Sequence, residues 1–237
     1  FYERHGVPVR FVGHPLVEQL PADPDVPAAR VSLGLPAQPH PVVALLPGSR
    51  HKEIVRHLPS MLAGVASLKA SFPDLRAVLP VASTIPRELI EDLVRRSGLE
   101  VTVVEGHATE ALTAADVAVV CSGTATLQAA LLKRPMVVVY RVSWLTYQIL
   151  KRLIKVAHIA LVNLIAGDGL VPELVQSAFT PANVAHEVGH LLSDAPHRAQ
   201  LIERFAALRT QLGSGNTAHA VAQVVLGYLS PEEHAHA

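Results

Sequence analysis

Three observations predict an α/β fold, a Rossmann-like, doubly wound parallel sheet. Short apolar runs recur at 42–46, 75–79, 101–104, 116–121 and 135–140. They carry no polar alternation, which is typical of strands buried on both faces of a parallel sheet. Amphipathic segments separate them, and these predict helices at 51–70, 86–97, 107–114 and 124–133. Strands that alternate with helices of this length indicate βαβ units.

The first forty residues depart from this regular pattern. Residues 9–12 (VRFV) read as a strand with nothing before them to pair with. We therefore expect residues 1–16 to be the end of a missing N-terminal Rossmann-like domain. Residues 17–40 hold five prolines and one short helical piece at 28–33, which is typical of an interdomain linker.

The strand pattern fades after residue 157. Helices are predicted there at 170–177, 181–193, 196–212 and 217–229. Thr180 and Pro181 provide an N-cap and a first helical residue for the second of these. The main domain is thus expected to span residues 41–230, and 231–237 to form a polar tail.

Composition excludes several functional classes. The 237 residues include 20 basic and 20 acidic side chains, so no net field favours nucleic acid. The single cysteine, Cys121, excludes an internal disulfide. Thirteen histidines are scattered without the spacing of metal ligands, so no metal site is expected. There is no uninterrupted apolar span of 18 residues that would predict a transmembrane helix.

The stretch VVALLPGSR, residues 42–50, organises the chain. A buried strand is stopped by proline and followed by Gly48, Ser49 and Arg50, after which a helix begins. Such a turn presents free backbone N–H groups, a hydroxyl and a guanidinium to an anion. The stretch therefore predicts phosphate binding, and the alternative is an ordinary βα turn with a surface arginine.

A second bend of the same kind follows the strand at 116–121. Ser122, Gly123 and Thr124 open a helix, so this bend predicts a second anion site. Gln128 lies one turn further on the same face, where its amide could reach a sugar hydroxyl. The alternative is a serine N-cap before a helix of small residues.

A third strand end, at 101–104, leads into Glu105 and Gly106. Backbone groups in this loop could read the edge of a nucleobase, and the alternative is a plain turn. Because ligands of doubly wound sheets bind at the carboxyl ends of the strands, these three loops are the candidate site.

Three further polar side chains lie beyond the regular strands. Asn163 interrupts an apolar stretch, so its amide needs partners if it is buried. Glu173 follows Pro172 and is predicted in a first helical turn, where a carboxylate complements the helix dipole. Gln176 follows in the same segment.

The predicted helix at 143–156 combines basic and apolar faces. Trp144 lies near its start, and Lys151, Arg152 and Lys155 follow on one face. Basic residues beside apolar and aromatic ones suit a helix that lies at an anionic membrane surface. The alternative is a surface helix packed on a core.

Five segments together resemble the lipid-A-disaccharide synthase family, glycosyltransferases of the GT-B type. They are FVGHPL (11–16), LLPGSRHKEI (45–54), SGTATLQAALLKRPMVVVYR (122–141), TYQILKRLIK (146–155) and NLIAGDGLVPELVQ (163–176). The resemblance runs in order from residue 1 to about 230. It implies two Rossmann-like domains around a cleft, of which this chain is mainly the C-terminal, nucleotide-sugar-binding one.

The resemblance also implies a reaction. The family joins UDP-2,3-diacylglucosamine to 2,3-diacylglucosamine 1-phosphate through a β-1,6 link and releases UDP, and it needs no redox cofactor. It works as a peripheral enzyme on the cytoplasmic face of the inner membrane of Gram-negative bacteria. The general base belongs to the N-terminal domain, so this chain is expected to bind UDP without turnover. A homodimer is left open.

The family assigns roles to the candidate residues. Arg50 stabilises charge on the departing UDP, with Gly48 and Ser49 beside it. The resemblance implies that Ser122, Gly123 and Thr124 form the second phosphate site and that Gln128 holds the ribose. On the acceptor side the cleft is lined by Asn163, Glu173 and Gln176.

The sequence departs from the family at three places. Gln128 stands where related sequences have glutamate, so the ribose contact carries no charge. Leu161-Val162-Asn163 replaces an LPN tripeptide, and Asp168-Gly169 replaces a basic-acidic pair. These changes bear on the ribose and acceptor contacts.

Two other functional classes share the features above. One is another UDP-sugar enzyme with this fold, such as a UDP-N-acetylglucosamine 2-epimerase or a peptidoglycan-type glycosyltransferase. The other is a nucleotide-binding module without catalysis. Nucleotide preference, membrane binding and transfer activity distinguish the three.

Overall fold

The described part of the chain folds around one six-stranded sheet flanked by helices. A computed structural model describes residues 2–36, 40–144, 146–148, 157–213 and 215–229. The strands are β1 (Val42–Leu46), β2 (Arg76–Val81), β3 (Val101–Glu105), β4 (Val117–Cys121), β5 (Met136–Tyr140) and β6 (Glu173–Val175). The helices are α1 (Leu16–Gln19), α2 (Val26–Ser32), α3 (His51–Ser67), α4 (Arg87–Ser97), α5 (Ala108–Ala114), α6 (Thr124–Leu131), α7 (Leu161–Ala166), α8 (Pro181–Ser193), α9 (Ala195–Gln211) and α10 (Thr217–Leu229).

The strand order is β3-β2-β1-β4-β5-β6, and each neighbouring pair is parallel. The order runs one way from β1 to β3 and the other way from β4 to β6. β1 pairs with β2 on one side and with β4 on the other, so the switch point lies between β1 and β4. The predicted parallel, doubly wound sheet is confirmed.

The core is apolar on both faces of the central strands. Every residue of β1 and β4 is buried, as expected of runs without polar alternation. Helix α3 packs closely against α8 at Gly64, where an added Cβ would lie 2.7 Å from Val184 Cβ. A glycine is therefore required at this helix crossing.

Two of the predicted elements are wrong. Residues 9–12 form no strand, and Val9 and Phe11 are 49% and 69% exposed. A strand needs a neighbouring strand for its backbone hydrogen bonds, and the described residues provide none there. Residues 170–177 are not a helix but contain β6, which is defined by its pairing with β5 (Val138 with Glu173). The unpredicted α7 precedes it.

The segment expected as a linker packs against the domain. Val17, Leu20 and Leu33 belong to the same hydrophobic core as the sheet. The Arg209 guanidinium of α9 donates to the carbonyls of Val17 and Leu20, at 2.8 and 2.6 Å. These contacts hold α1 and the loop after it against the C-terminal helices.

No helix among the described residues is long and apolar enough to span a bilayer. Most of the predicted basic helix at 143–156 lies outside the described residues. Of its predicted membrane-facing side chains, Trp144 is described and is 74% exposed. Lys151, Arg152 and Lys155 lie outside the described part of the chain.

Candidate nucleotide-sugar site

The two glycine-containing bends open at the same edge of the sheet. Leu46 at the end of β1 pairs with Val120 near the end of β4, so the loops after them leave side by side. Between them lies a cavity of about 460 Å³. Its walls include Leu46, Gly48, Ser49, Arg50, Glu53, Pro80, Val81, Ala82, Gly106, Ala108, Cys121, Ser122, Gly123, Thr124, Ala125 and Gln128. Eight of the residues singled out in the sequence thus meet at one cavity, at the switch point.

The second bend presents a helix N-terminus to this cavity. α6 begins at Thr124 after the N-cap Gly123, and no side chain caps the amides of Thr124 and Ala125. The amide and the hydroxyl of Thr126 both donate to the Gly123 carbonyl, at 3.1 and 2.8 Å, which closes the bend. The end of α6 can therefore bind an anion through its backbone.

Ser122 has a different local role from the N-cap considered in the sequence. Its Oγ donates to the Ile159 carbonyl at 2.8 Å, and Gly123 is the N-cap of α6. The hydroxyl thus ties the end of β4 to the segment that leads into α7. Ser122 remains in the cavity wall beside this contact.

The first bend differs from the expected set of free donors. The amides of Ser49 and Arg50 both donate to Glu53 Oε2, at 3.1 and 3.3 Å. Arg50 Nη1 donates to Glu53 Oε1 at 2.8 Å, and this pairing raises the pKa of the guanidinium above its usual value. The arginine side chain itself is 79% exposed. Sequence reasoning assigned Glu53 only to the helix, although a glutamate three residues after an N-cap is a known capping signal.

A buried histidine, His57, links the first bend to the residue that follows β5. His57 is 1% exposed, its Nδ1 lies 2.9 Å from the Pro47 carbonyl, and its Nε2 accepts from the Arg141 amide at 3.0 Å. Burial lowers the pKa of His57, so the ring is neutral at pH 7. The histidine thereby ties the residue before Gly48 to the end of β5.

The third loop contributes one residue to the main cavity. Gly106 lies in its wall and donates its amide to the Val81 carbonyl at 2.8 Å. Glu105 borders a smaller neighbouring cavity of about 140 Å³, together with Arg87 and Val103. The two cavities share Val81 and Ala82, so the loop extends the site past the end of β2.

Cys121 lies in the wall of the main cavity as a thiol. Burial raises its pKa to about 12, so it is protonated at neutral pH. The described residues contain no group of three or more side chains that could hold a metal ion.

The predicted acceptor-side residues form a hydrogen-bonded group around α7. Asn163 is fully buried; its Nδ2 donates to the Val171 carbonyl at 2.9 Å and to Glu173 Oε1 at 2.8 Å. Its Oδ1 accepts from the Val171 amide at 2.9 Å. The partners that a buried amide needs are therefore present within the protein.

Glu173 lies in β6, not in the first turn of a helix as predicted. Its carboxylate accepts from the amides of Ile159 and Ala160, at 2.9 and 3.1 Å, just before α7 begins. The helix that it complements is thus α7, which lies earlier in the chain. Since Ser122 also binds Ile159, the carboxylate and the second bend hold the same segment.

Gln176 and Asp168 lie outside the main cavity. Gln176 has a left-handed backbone, with φ of 53°, and its carbonyl accepts from Arg141. Asp168, at one of the departures from the family pattern, forms an ion pair with Arg204 of α9 at 2.6 Å. The acidic substitution therefore has a partner within this chain.

Solved structures resemble this fold at low sequence identity. A glycosyltransferase from Rickettsia africae matches with a TM-score of 0.60 and 10% identity, covering 86% of this chain and 52% of its own. A putative UDP-N-acetylglucosamine 2-epimerase from Listeria monocytogenes gives 0.56 and 14%, covering 92% and 53%. The calicheamicin glycosyltransferase CalG4 gives 0.53 and 18%, covering 83% and 45%. These likenesses support the fold alone.

Sequence comparisons are more specific. The family model described as lipid-A-disaccharide synthetase matches residues 1–225. Lipid-A-disaccharide synthase of Anaeromyxobacter sp. is 46% identical over 230 residues, and that of Pseudomonas aeruginosa is 48% identical over 226. These matches cover 97% and 95% of this chain but 60% of each relative. The chain thus spans about 60% of the length of the relatives it matches, and it belongs to the lipid-A-disaccharide synthase family.

Proposed function

We propose that this chain is the nucleotide-sugar-binding part of an enzyme that transfers 2,3-diacylglucosamine from UDP-2,3-diacylglucosamine to 2,3-diacylglucosamine 1-phosphate. One observation carries the proposal. In a chain of this family, the bends at Gly48 and Gly123 border a single cavity at the switch point of the sheet. A doubly wound sheet binds its ligand at that place.

The donor would lie with its diphosphate between the two bends. At the first turn of α6, Thr124 and Ala125 present backbone amides that no side chain caps, and Arg50 offers a positive charge at the same cavity. Gln128 borders the same cavity one turn along α6, where its amide can bind a ribose hydroxyl. Gly106 and Glu105 then lie on the side where the base would extend.

The transfer breaks the bond between the anomeric carbon and the β-phosphate oxygen, and UDP leaves with the electron pair. The acceptor's primary hydroxyl forms the new β-1,6 bond and loses its proton to a general base. Negative charge grows on the leaving diphosphate, so Arg50 and the α6 amides lower the barrier by stabilising it. We assign the general base to the part of the relatives that this chain does not span.

The acceptor-side residues would act through the backbone that they hold. Asn163 and Glu173 bind each other and the segment before α7, and Ser122 binds that segment at Ile159. The donor cavity and the acceptor side are therefore linked through hydrogen bonds to the same segment. Gln176 completes this side through its carbonyl contact with Arg141.

The family relationship favours this function over the alternatives with the same fold. The epimerase-like neighbour is 14% identical, whereas the lipid-A-disaccharide synthases are 46–48% identical. A non-catalytic module would bind UDP but support no transfer when joined to the remaining part of the relatives. A transfer assay on such a full-length chain separates the two.

We further propose that the protein works at the inner-membrane surface, where acylated substrates reside. Support comes from the basic and apolar pattern at 143–156 and from the exposed indole of Trp144. Flotation with anionic vesicles, weakened by salt, tests this association.

Nucleotide preference tests the proposed function in the chain as it stands. We expect calorimetric titration to give tighter binding for UDP than for ADP or GDP, because the site would read the base as well as the diphosphate. CDP serves as the matched control for a pyrimidine of the same size. Equal affinities for all four nucleotides, or no binding, would remove the nucleotide-sugar assignment.

A further inference from the structure

The anion site of the first bend is already occupied by a side chain of this protein. Glu53 accepts three hydrogen bonds there, from the amides of Ser49 and Arg50 and from the Arg50 guanidinium. These are the donors that a Gly-Ser-Arg turn would otherwise offer to a phosphate. The carboxylate is 24% exposed and lies in the cavity wall.

The bend is closed tightly around this carboxylate. An added Cβ at Gly48 would collide with Glu53 Oε2 and lie 2.8 Å from Glu53 Cβ. Gly48 also has a φ of +116°, which side-chain-bearing residues rarely adopt. The glycine is therefore required by Glu53 itself, independently of any ligand.

We propose that Glu53 is a positioning residue of the donor site. It serves as the internal anion around which the 48–50 loop folds, and it holds the Arg50 guanidinium at the cavity. The proposal rests on the proposed function only in naming UDP as the ligand. It deepens that function by assigning the diphosphate to the amino end of α6 and to Arg50 side-chain donors, rather than to the amides of Ser49 and Arg50.

The hydrogen bonds of Arg50 support the assignment of its side chain to the diphosphate. The guanidinium has five N–H donors, and among the contacts of the described residues only Nη1 is engaged, by Glu53. The other N–H groups remain for a ligand. The Arg50 side chain is otherwise exposed, so its ion pair with Glu53 limits the rotamers that it samples. Less side-chain entropy is then lost when the guanidinium binds a ligand.

Amide hydrogen exchange tests the loop directly, without any ligand. In the free chain, Glu53→Gln should speed exchange at Ser49 and Arg50 at least about tenfold, because the neutral amide accepts more weakly from both N–H groups. Asp92→Asn is the matched control, since Asp92 also pairs with an exposed arginine, Arg96, but away from the cavity. Unchanged exchange in the Glu53 variant would overturn the proposal.

UDP titration tests the positioning role. We expect Glu53→Gln to weaken UDP binding about five- to tenfold, and the double variant with Arg50→Ala to bind no more weakly than Arg50→Ala alone. A purely structural cap would lower the melting temperature without moving UDP affinity, and a competing anion would make the variant bind more tightly. Either result overturns the proposal.

Failure of the proposed function and failure of the role assigned to Glu53 give different results. If the wild-type chain binds no UDP, the proposed function fails, while the exchange measurement still decides the role of Glu53. If Glu53→Gln does not fold, Glu53→Asp replaces it, because the shorter side chain keeps the charge but cannot span to both amides. Full protection of Ser49 and Arg50 in that variant would contradict the proposal.

Discussion

Replacing Arg50 with alanine is expected to weaken UDP binding by roughly tenfold or more, and to slow transfer by a full-length enzyme roughly 100-fold. The larger effect on rate follows because charge on the diphosphate grows as the glycosidic bond breaks. Arg50 lies in the wall of the cavity that the amino end of α6 also borders. Calorimetry with UDP and initial-rate measurements give the two numbers.

Arg96→Ala is the control for this variant. Arg96 is 74% exposed and pairs with a carboxylate four residues away, as an ordinary surface arginine does. Its loss should leave UDP affinity and rate unchanged. Arg50→Lys should recover only part of the loss, because an ammonium lacks the planar fork of donors. A transfer rate for Arg50→Ala within about twofold of wild type would disprove the role assigned to this residue.

Asn163→Leu should produce the largest loss of stability. The substitution keeps the number of side-chain heavy atoms and the branch at Cγ but removes three hydrogen bonds, two of them buried, and it leaves the amide and carbonyl of Val171 without their partner. We expect a cost of about 3 kcal/mol or more. For a chain of this size that corresponds to a fall in melting temperature of roughly 6–12 °C.

Asn183→Ala provides the comparison for this measurement. Its side chain is exposed and donates one hydrogen bond, to the Ala178 carbonyl. The melting temperature of this control should fall by no more than about 3 °C. A melting temperature of Asn163→Leu within about 2 °C of wild type would correspond to a free-energy change of only about 1 kcal/mol. The hydrogen bonds of Asn163 would then contribute far less to stability than their geometry indicates.

The central strands and their bends could be predicted because the apolar runs and turn residues agree with the parallel-sheet topology. β1 and β4 are five-residue runs buried on both faces, and each ends at a small-residue turn. Short apolar runs without polar alternation, separated by helices, predict a parallel sheet, and the carboxyl ends of its strands are the expected ligand edge. The meeting of Gly48 and Gly123 at one cavity follows from that topology.

The contacts that the sequence did not reveal depend on tertiary pairing. Glu173 follows a proline, which favours a helix start, yet pairing with β5 places it in a three-residue strand. Glu53 was read as a helix residue, because which groups its carboxylate meets depends on the N-terminal geometry of α3. Phe11 belongs to the predicted strand at 9–12, which finds no neighbouring strand among the described residues.

We expect one UDP diphosphate to lie between the bends at Gly48 and Gly123. Nuclear magnetic resonance of the labelled chain during titration with UDP tests it most directly. We expect the amide resonances at 48–50 and at 123–125 to shift together, with one dissociation constant, while those of α10, whose residues line neither cavity, stay unchanged. Shifts confined to one bend, or distinct affinities at the two, would contradict it.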